Sequence, residues 1–174
     1  MLTMPFREKK RFSVIIKILY LAGGIAIGFI ICRMFVVTFS MPDNSMEPNL
    51  RPGDTVVFLK HATPQPGDIV LMDSPVEPGR VLVKRVVSAE GDTVEIKNKV
   101  FYINNKQFNF KWKHRSADRR IFPMSFTYRD NMPVVKLGRK EFFVLSDNLD
   151  QGYDSRTLGL ISRDLIIGKM IYHY

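Results

Sequence analysis

A serine flanked by two prolines is the first candidate for chemistry in this 174-residue chain. Ser45 lies in the stretch 41–50 (MPDNSMEPNL), between Pro42 and Pro48. Proline fixes φ near about −65° and favours an extended conformation in the preceding residue, so the sequence predicts a short, rigid mount for Ser45. Most serines in such turns are inert, and a nucleophile also needs a base.

Lys84 is the candidate base, because it interrupts an apolar stretch. In residues 80–87 (RVLVKRVV) strand alternation places Lys84 and Arg85 on opposite faces, each between apolar side chains. One interpretation is an edge strand whose lysine reaches water. The other is a desolvated lysine, whose pKa falls by roughly 3–5 units from about 10.4. Its neutral amine would accept the Ser45 proton and return it to a leaving amine.

The densest polar cluster, DNLDQGYDSR, begins at Asp147. A calcium loop starting there would need oxygen ligands at its third and fifth positions, but these are Leu149 and Gln151. The sequence therefore excludes that ligand pattern. Asp154 and Arg156 are instead interpreted as a local ion pair that holds the loop.

Cysteine and histidine provide no further catalytic or metal-binding pattern. The single cysteine, Cys32, lies inside an apolar run, so the chain has no disulfide framework, zinc site or paired thiol nucleophile. His61, His114 and His173 are isolated in sequence and are interpreted as surface or loop residues.

An N-terminal apolar segment precedes these residues. Residues 18–32 carry no charge, and including residues 14–17 with a snorkelling Lys17 brings the segment close to the roughly 20 residues of a spanning helix. Four basic residues between positions 7 and 11 predict a cytoplasmic N-terminus, with residues 40–174 across the membrane. A cleaved signal peptide is the alternative, although Thr38-Phe39-Ser40 is a poor cleavage site.

Three Gly-Asp pairs, at residues 53–54, 67–68 and 91–92, each precede a β-branched or apolar run. Each pattern predicts a turn followed by a strand. Prolines in the connections and the absence of a long amphipathic helix after residue 40 favour an all-β antiparallel fold over βαβ units.

The net charge of +9 is unevenly distributed. Residues 1–17 hold five basic residues against one acidic residue, and residues 97–140 hold twelve against two. The remainder has nine basic and fourteen acidic residues, which argues against a uniformly basic nucleic-acid binder. The basic segment 97–140 also contains many aromatic residues, a pattern that suits either a solvated β-rich insertion or contact with anionic lipids.

Together these stretches resemble the successive motifs of bacterial type I signal peptidases. The resemblance is carried by residues 45–50 (SMEPNL), the Gly-Asp pairs, residues 84–87 (KRVV) and the later cluster, in this order after a membrane segment. It implies that Ser45 is the nucleophile and Lys84 the general base. It assigns the oxyanion and substrate site to the Ser45 backbone N–H, Asp43 and Met46. Residues around the lysine that shape the site are then Asp147, Asn148, Asp154, Ser155 and Arg156.

Three positions depart from the family pattern. Ser146 stands where glycine is usual, and Gly152 stands where many members have a serine that hydrogen-bonds the lysine. Ser155, a backbone carbonyl or water is expected to orient Lys84 instead. Asp43 stands where some members have an oxyanion-hole serine, and an ionised carboxylate cannot donate, so the Ser45 N–H is expected to serve.

The resemblance implies a membrane-anchored serine endopeptidase that cleaves signal peptides from preproteins, with no metal or organic cofactor. The expected partners are preprotein signal peptides, the lipid bilayer with its anionic lipids and the secretion translocon, but not nucleic acid. The expected location is the bacterial cytoplasmic membrane, with the catalytic domain on the outer face. An inactive membrane-tethered relative that acts as a scaffold is the alternative. A self-cleaving Ser–Lys repressor is disfavoured, because the single Ala-Gly pair, residues 22–23, lies in the membrane segment.

The expected organisation follows from these assignments. Residues 1–13 form the basic cytoplasmic N-terminus, and residues 14–39 form the transmembrane anchor and its exit. The catalytic β domain comprises residues 40–96 and 141–174. Residues 97–140 form an inserted, smaller, basic β-rich segment.

Overall fold

The computed structural model describes residues 6–151 and 153–174, and it begins with helix α1, Phe6–Phe35. Within α1, the 22 residues Val14–Phe35 are long and apolar enough to cross a membrane. Most of their large apolar side chains are at least half exposed, as expected of a helix that does not belong to a protein core. The helix is compatible with the predicted membrane span.

The rest of the described chain is mostly β-structure. The strands are β1 (Val36–Ser40), β2 (Thr55–Lys60), β3 (Ile69–Asp73), β4 (Val81–Ser88), β5 (Thr93–Lys97), β6 (Val100–Ile103), β7 (Lys106–Gln107), β8 (Met132–Lys136), β9 (Glu141–Leu145), β10 (Ile161–Ser162) and β11 (Ile166–His173). Within the described residues, helical structure after α1 is limited to α2 (Ser155–Leu158) and a 3-10 turn (Arg163–Leu165). The predicted all-β architecture behind one N-terminal helix is confirmed.

The strands form two sheets. The larger has the order β1-β2-β11-β3-β4-β9-β10, and the smaller has the order β7-β6-β5-β8. β4 pairs antiparallel with β3 on one side and with β9 on the other. The strand that carries Lys84 is therefore internal, and the edge-strand interpretation of Lys84 is wrong. An internal strand cannot release a lysine to water across its edge, so the side chain must be accommodated inside the protein.

The predicted Gly-Asp turns are present and share one geometry. Gly53, Gly67 and Gly91 all have positive φ, at 93°, 101° and 88°, a region that favours glycine. After each glycine, the aspartate carboxylate accepts from a backbone N–H three residues earlier, at 2.8, 2.7 and 3.2 Å. β2, β3 and β5 start one residue after each aspartate. Each turn thus contains its own stabilising contact, so the local sequence suffices to predict it.

Three apolar clusters support the sheets. One joins Met46 and Leu50 to strands β2, β3 and β4, and it lies beneath the stretch that carries Ser45. A second packs β3, β4 and β9 against Ile161 and Ile166. The third contains residues of both sheets, with Val94 and Ile96 of β5 beside Phe143 and Leu145 of β9.

The smaller sheet begins with β5 at Thr93, a few residues before the predicted insertion starts at residue 97. Its remaining strands fall within residues 97–140. One apolar cluster contains residues of both sheets, so among the described residues the smaller sheet does not have a hydrophobic core of its own. The division into a catalytic domain and an insertion stays a prediction.

Candidate active site

Buried side chains and backbone hydrogen bonds hold the turn that carries Ser45. The side chains of Met46 and Leu50 are fully buried, and the Leu50 N–H donates to the Met46 carbonyl at 3.0 Å. At the entry to the turn, the Met41 N–H donates to the Asp54 carbonyl at 2.9 Å. Ser45 itself is 8% exposed. The predicted rigid mount is present, and it is held by these core contacts as well as by the prolines.

Asp147 and Asn148, in the loop that follows β9, hold the same turn. The Asn148 N–H donates to the Ser45 carbonyl at 2.9 Å, and its amide nitrogen donates to the Asn44 carbonyl at 3.3 Å. The Asn49 amide donates to the Asp147 carboxylate at 2.7 Å. These bonds connect residues about a hundred positions apart, so they fix the Ser45 turn against the loop that follows β9.

Lys84 lies in the middle of β4 and is 2% exposed. Its Nζ donates to Ser146 Oγ at 3.1 Å. Burial lowers the pKa of Lys84 below its ordinary value of 10.5, and it outweighs the opposing effect of the carboxylates of Asp154 and Asp43. The positive charges of Arg156 and Arg80 lower the pKa further. The lysine is thus poised as a proton acceptor.

Ser45 and Lys84 line one pocket of about 300 Å³. Its walls come from the stretch that ends at Ser45 and from Arg80 with the first half of β4, namely Met41, Pro42, Asp43, Ser45, Arg80, Val81, Leu82, Val83 and Lys84. A hydroxyl, an amine of lowered pKa and an apolar wall therefore meet in one recess. Such a set of groups is suited to acyl transfer from a peptide bond.

The Ser45 backbone N–H, which is expected to form the oxyanion hole, already donates a hydrogen bond to Asp43. Asp43 Oδ1 accepts from this N–H at 2.9 Å. Partial burial raises the pKa of Asp43, but hydrogen bonds from Ser45 and the charges of Lys84 and Arg80 outweigh it, so the pKa lies below its ordinary value. The carboxylate is therefore ionised at neutral pH. A substrate oxygen that uses this N–H must first displace Asp43.

Behind Lys84, Asp154 and Arg156 form a buried ion pair, with Arg156 Nη2 2.7 Å from Asp154 Oδ2. Neither residue is more than 4% exposed. Burial raises the pKa of Asp154, but Arg156, the Ser146 N–H and Lys84 outweigh it and hold the pKa below its ordinary value. The predicted ion pair exists, but it is inside the protein and not at its surface.

Sequence reasoning missed the partner of Lys84. The hydroxyl that accepts from Nζ belongs to Ser146, a residue that the sequence marks only as a departure from the family pattern. Ser155, one of the expected partners, instead accepts the Val144 N–H at 2.9 Å. Gly152 lies outside the described residues. The missing signal was the strand register, which sequence alone did not supply.

The basic segment also contacts the site, through backbone groups. The Arg115 N–H donates to the Asp147 carbonyl at 2.9 Å, and the Leu149 N–H donates to the Arg115 carbonyl at 2.7 Å. The Arg115 side chain pairs with Glu47 at 2.9 Å. Part of the segment 97–140 therefore supports the loop that holds the Ser45 turn.

The other predicted site residues separate into two groups. Asp43 joins Ser45 and Lys84 around the pocket, whereas Met46 belongs to the apolar cluster that supports the Ser45 turn.

Among the described residues, no group of three or more His, Cys, Asp or Glu side chains has an arrangement suited to a metal ion.

Known proteins resemble this chain along nearly its whole length. The family model for signal peptidase, peptidase S26, matches residues 12–174. Signal peptidase IB of Staphylococcus aureus (strain COL) is 29% identical over 170 residues, covering 90% of this chain and 87% of the relative. A probable signal peptidase I-1 of Synechocystis is 27% identical over 145 residues, covering 77% of this chain and 68% of the relative.

Among solved structures, a signal peptidase I from Enterococcus faecalis V583 matches with a TM-score of 0.49 and 23% identity. The match covers 63% of this chain and 98% of that one. The family model extends over the serine turn, the lysine strand and the later polar cluster, as the sequence motifs predicted. This chain therefore belongs to the signal peptidase family, peptidase S26, and is a serine endopeptidase.

Proposed function

We propose that this chain removes N-terminal signal peptides from preproteins by means of a Ser45–Lys84 dyad while α1 holds it in a membrane. Family membership supports signal-peptide cleavage by a serine peptidase. One observation carries the dyad: a buried lysine with a lowered pKa lines the same pocket as a serine hydroxyl.

In the proposed reaction, neutral Lys84 accepts the Ser45 hydroxyl proton as Oγ attacks the scissile carbonyl. The resulting ammonium then donates this proton to the leaving amine, the C–N bond breaks and an acyl-enzyme forms. Lys84, neutral again, accepts a proton from water, whose oxygen attacks the ester and releases the signal peptide. Lys84 finally returns the proton to Ser45 Oγ.

The developing oxyanion requires a donor, and the proposed one is the Ser45 N–H. Asp43 must leave this N–H when the substrate carbonyl arrives, because one N–H makes one strong hydrogen bond. Met46 contributes indirectly, since its buried side chain fixes the backbone that follows the nucleophile. Asp43 thus covers the oxyanion site of the free enzyme.

The pocket suits an extended peptide with small side chains. Its lining residues include the apolar residues Met41, Val81 and Val83. A substrate strand that lies beside these residues would place alternate side chains in the recess. A recess of about 300 Å³ that also admits the scissile bond favours small residues, in line with the Ala-x-Ala sequences implied by the resemblance.

The proposed membrane topology depends on α1. Val14–Phe35 is long enough to span, and basic residues precede it at positions 7, 9, 10 and 11. By the positive-inside rule the N-terminus is cytoplasmic, and the catalytic domain lies on the outer face of the bacterial cytoplasmic membrane. Preproteins would reach it there as they leave the secretion translocon.

Anionic lipid is a further proposed partner, through the basic segment. Ile121, Met124 and Phe126 are between 50% and 75% exposed, and Arg119 and Arg120 precede them in the chain. Exposed apolar side chains beside arginines are typical of surfaces that contact anionic membranes. Anionic lipid added to detergent micelles should raise cleavage, and the double variant Arg119→Gln, Arg120→Gln should respond less.

The central test compares the detergent-solubilised chain with its Ser45→Ala and Lys84→Ala variants on a preprotein substrate. Wild type should release the signal peptide, and both variants should lose cleavage. Wild-type cleavage no faster than that of the variants would contradict the dyad and favour the scaffold alternative.

The acid limb of the pH–rate profile tests the state of the lysine. Because the reactive form is the neutral amine, the rate should fall as pH decreases and Lys84 becomes protonated. A wild-type rate that stays flat down to about pH 5 would be incompatible with a neutral-lysine base.

A further inference from the structure

Lys84 and Ser146 face each other across neighbouring strands. β4 and β9 pair antiparallel with Arg85 opposite Leu145 and Val86 opposite Val144. The same register, extended by one residue, sets Lys84 opposite Ser146, just beyond the end of β9. The side chains meet with Nζ 3.1 Å from Oγ, and the residues are 2% and 1% exposed.

Ser146 is itself held in place by the buried ion pair. Its backbone N–H donates to Asp154 Oδ2 at 3.0 Å. Arg156 fixes that carboxylate with two further bonds, Nε to Oδ1 at 2.9 Å and Nη2 to Oδ2 at 2.7 Å. The position of the Ser146 backbone is therefore determined by a fully buried network. The hydroxyl that meets Lys84 is preorganised in the folded protein.

We propose that Ser146 is the positioning residue of Lys84, and this inference rests on the proposed Ser45–Lys84 dyad. Its hydroxyl accepts one Nζ–H, which restricts rotation of the amine and directs its lone pair into the pocket that Ser45 lines. Lysine has several rotatable bonds, so a buried amine without such a contact would sample other orientations. In this role Ser146 acts on the reaction only through the amine of Lys84.

Ser146 also acts on the protonation equilibrium. A hydrogen bond from an ammonium to a hydroxyl is stronger than one from a neutral amine, so Ser146 partly stabilises protonated Lys84. Removal of the hydroxyl should therefore lower the pKa of the lysine while it loosens the amine. These two effects, a slower reaction and an acid limb at lower pH, would not both follow from a structural role alone.

The experiment measures kcat, KM and the pH–rate profile of the full chain in detergent for wild type, Ser146→Ala and Ser146→Cys. Cysteine preserves most of the volume, but its sulfur is a weak acceptor. Ser88→Ala is the matched control, because Ser88 is fully buried on the same strand as Lys84 and its hydroxyl has no hydrogen-bond partner among the described residues. Thermal unfolding of each variant reports whether it folds.

Both Ser146 variants should lose about 10- to 100-fold in kcat with KM little changed, a part of the roughly 10²–10⁴-fold that general-base catalysis provides. Their acid limbs should move to lower pH, and Ser88→Ala should match wild type. If Ser146→Ala does not fold, Ser146→Cys decides. A folded Ser146 variant with kcat within twofold of wild type and an unmoved limb would overturn the positioning role.

Failure of the dyad gives a different result. In that case wild type itself cleaves no faster than Ser45→Ala, and the role of Ser146 is rejected with the dyad. If wild type is active and only the Ser146 expectation fails, the dyad stands and the positioning role alone is rejected.

Discussion

Lys84 and Arg85 are adjacent buried basic residues on β4, and strand alternation directs them to opposite faces of the sheet. Arg85 meets a carboxylate: its Nε and Nη2 lie 2.7 and 2.6 Å from the two oxygens of Asp147. Arg85 Nη1 donates to the Gly67 carbonyl at 2.7 Å. The guanidinium carbon of Arg85 lies over the Trp112 ring, 4.9 Å from its centroid. Lys84 meets the neutral hydroxyl of Ser146.

The difference shows how one strand supports both structure and chemistry. A buried charge is tolerated when it is paired, so the hydrogen-bonded ion pair of Arg85 with Asp147 can fasten β4 to the loop that follows β9. A buried amine whose direct partner is neutral gives up its proton more readily, which suits Lys84 to the proposed role of general base. Burial of an ammonium, which is intrinsically a stronger acid than a guanidinium, together with a neutral direct partner distinguishes Lys84 from Arg85.

The largest effect that tests this contrast is Lys84→Met. Methionine fills similar space without an amine, so cleavage should fall by about 10⁴-fold. The melting temperature should be unchanged or higher, because an incompletely compensated buried polar group is removed. Cleavage assays and thermal unfolding of the same preparation measure both. A variant that loses its fold would mean that Lys84 is structural, as Arg85 is.

Arg85→Met should give the opposite result, a loss of stability. It leaves the Asp147 carboxylate buried without its cation, which typically costs about 3–5 kcal/mol. The fluorescence of Trp112, the only tryptophan of the chain, can follow urea unfolding. Lys84→Met is the matched control on the same strand. A midpoint equal to that of wild type would show that the Arg85–Asp147 pair does not hold β4 to the site.

The sequence predicted the local features and missed the long-range ones. The Gly-Asp turns follow from bonds three residues apart, so the local pattern contains their cause. The contacts that distinguish Lys84 from Arg85 join residues 62 positions apart and depend on the pairing of β4 with β9. That pairing also makes β4 internal. Without the register, an edge strand remained a reasonable interpretation.

A smaller effect distinguishes the two cations through the pH dependence of stability. The pKa of Lys84 is lowered by folding, so between its folded value and 10.5 the unfolded chain binds more protons. Wild-type stability should therefore rise with pH across this window, by at most about 1.4 kcal/mol per pH unit. Lys84→Met lacks this contribution, and its advantage in melting temperature should shrink as pH increases. Parallel curves would contradict the lowered pKa.

The smallest expected effect concerns Asp43, the carboxylate on the pocket side of Lys84. Asp43→Ser removes a charge that raises the pKa of Lys84, so the acid limb of cleavage should move to lower pH. It also removes the carboxylate that accepts the Ser45 N–H, so kcat should rise about three- to tenfold, well below the roughly 10²–10³-fold of a complete oxyanion donor.

Asp43→Asn separates the two contributions in that prediction. It removes the charge but keeps an oxygen that can accept the Ser45 N–H, so the limb should move while kcat stays near wild type. If both variants instead slow the reaction with an unmoved limb, Asp43 supports the nucleophile turn and does not act on the charge of Lys84. The contrast between the two faces of β4 would then depend on Ser146 and the buried pair behind it, and not on the pocket side.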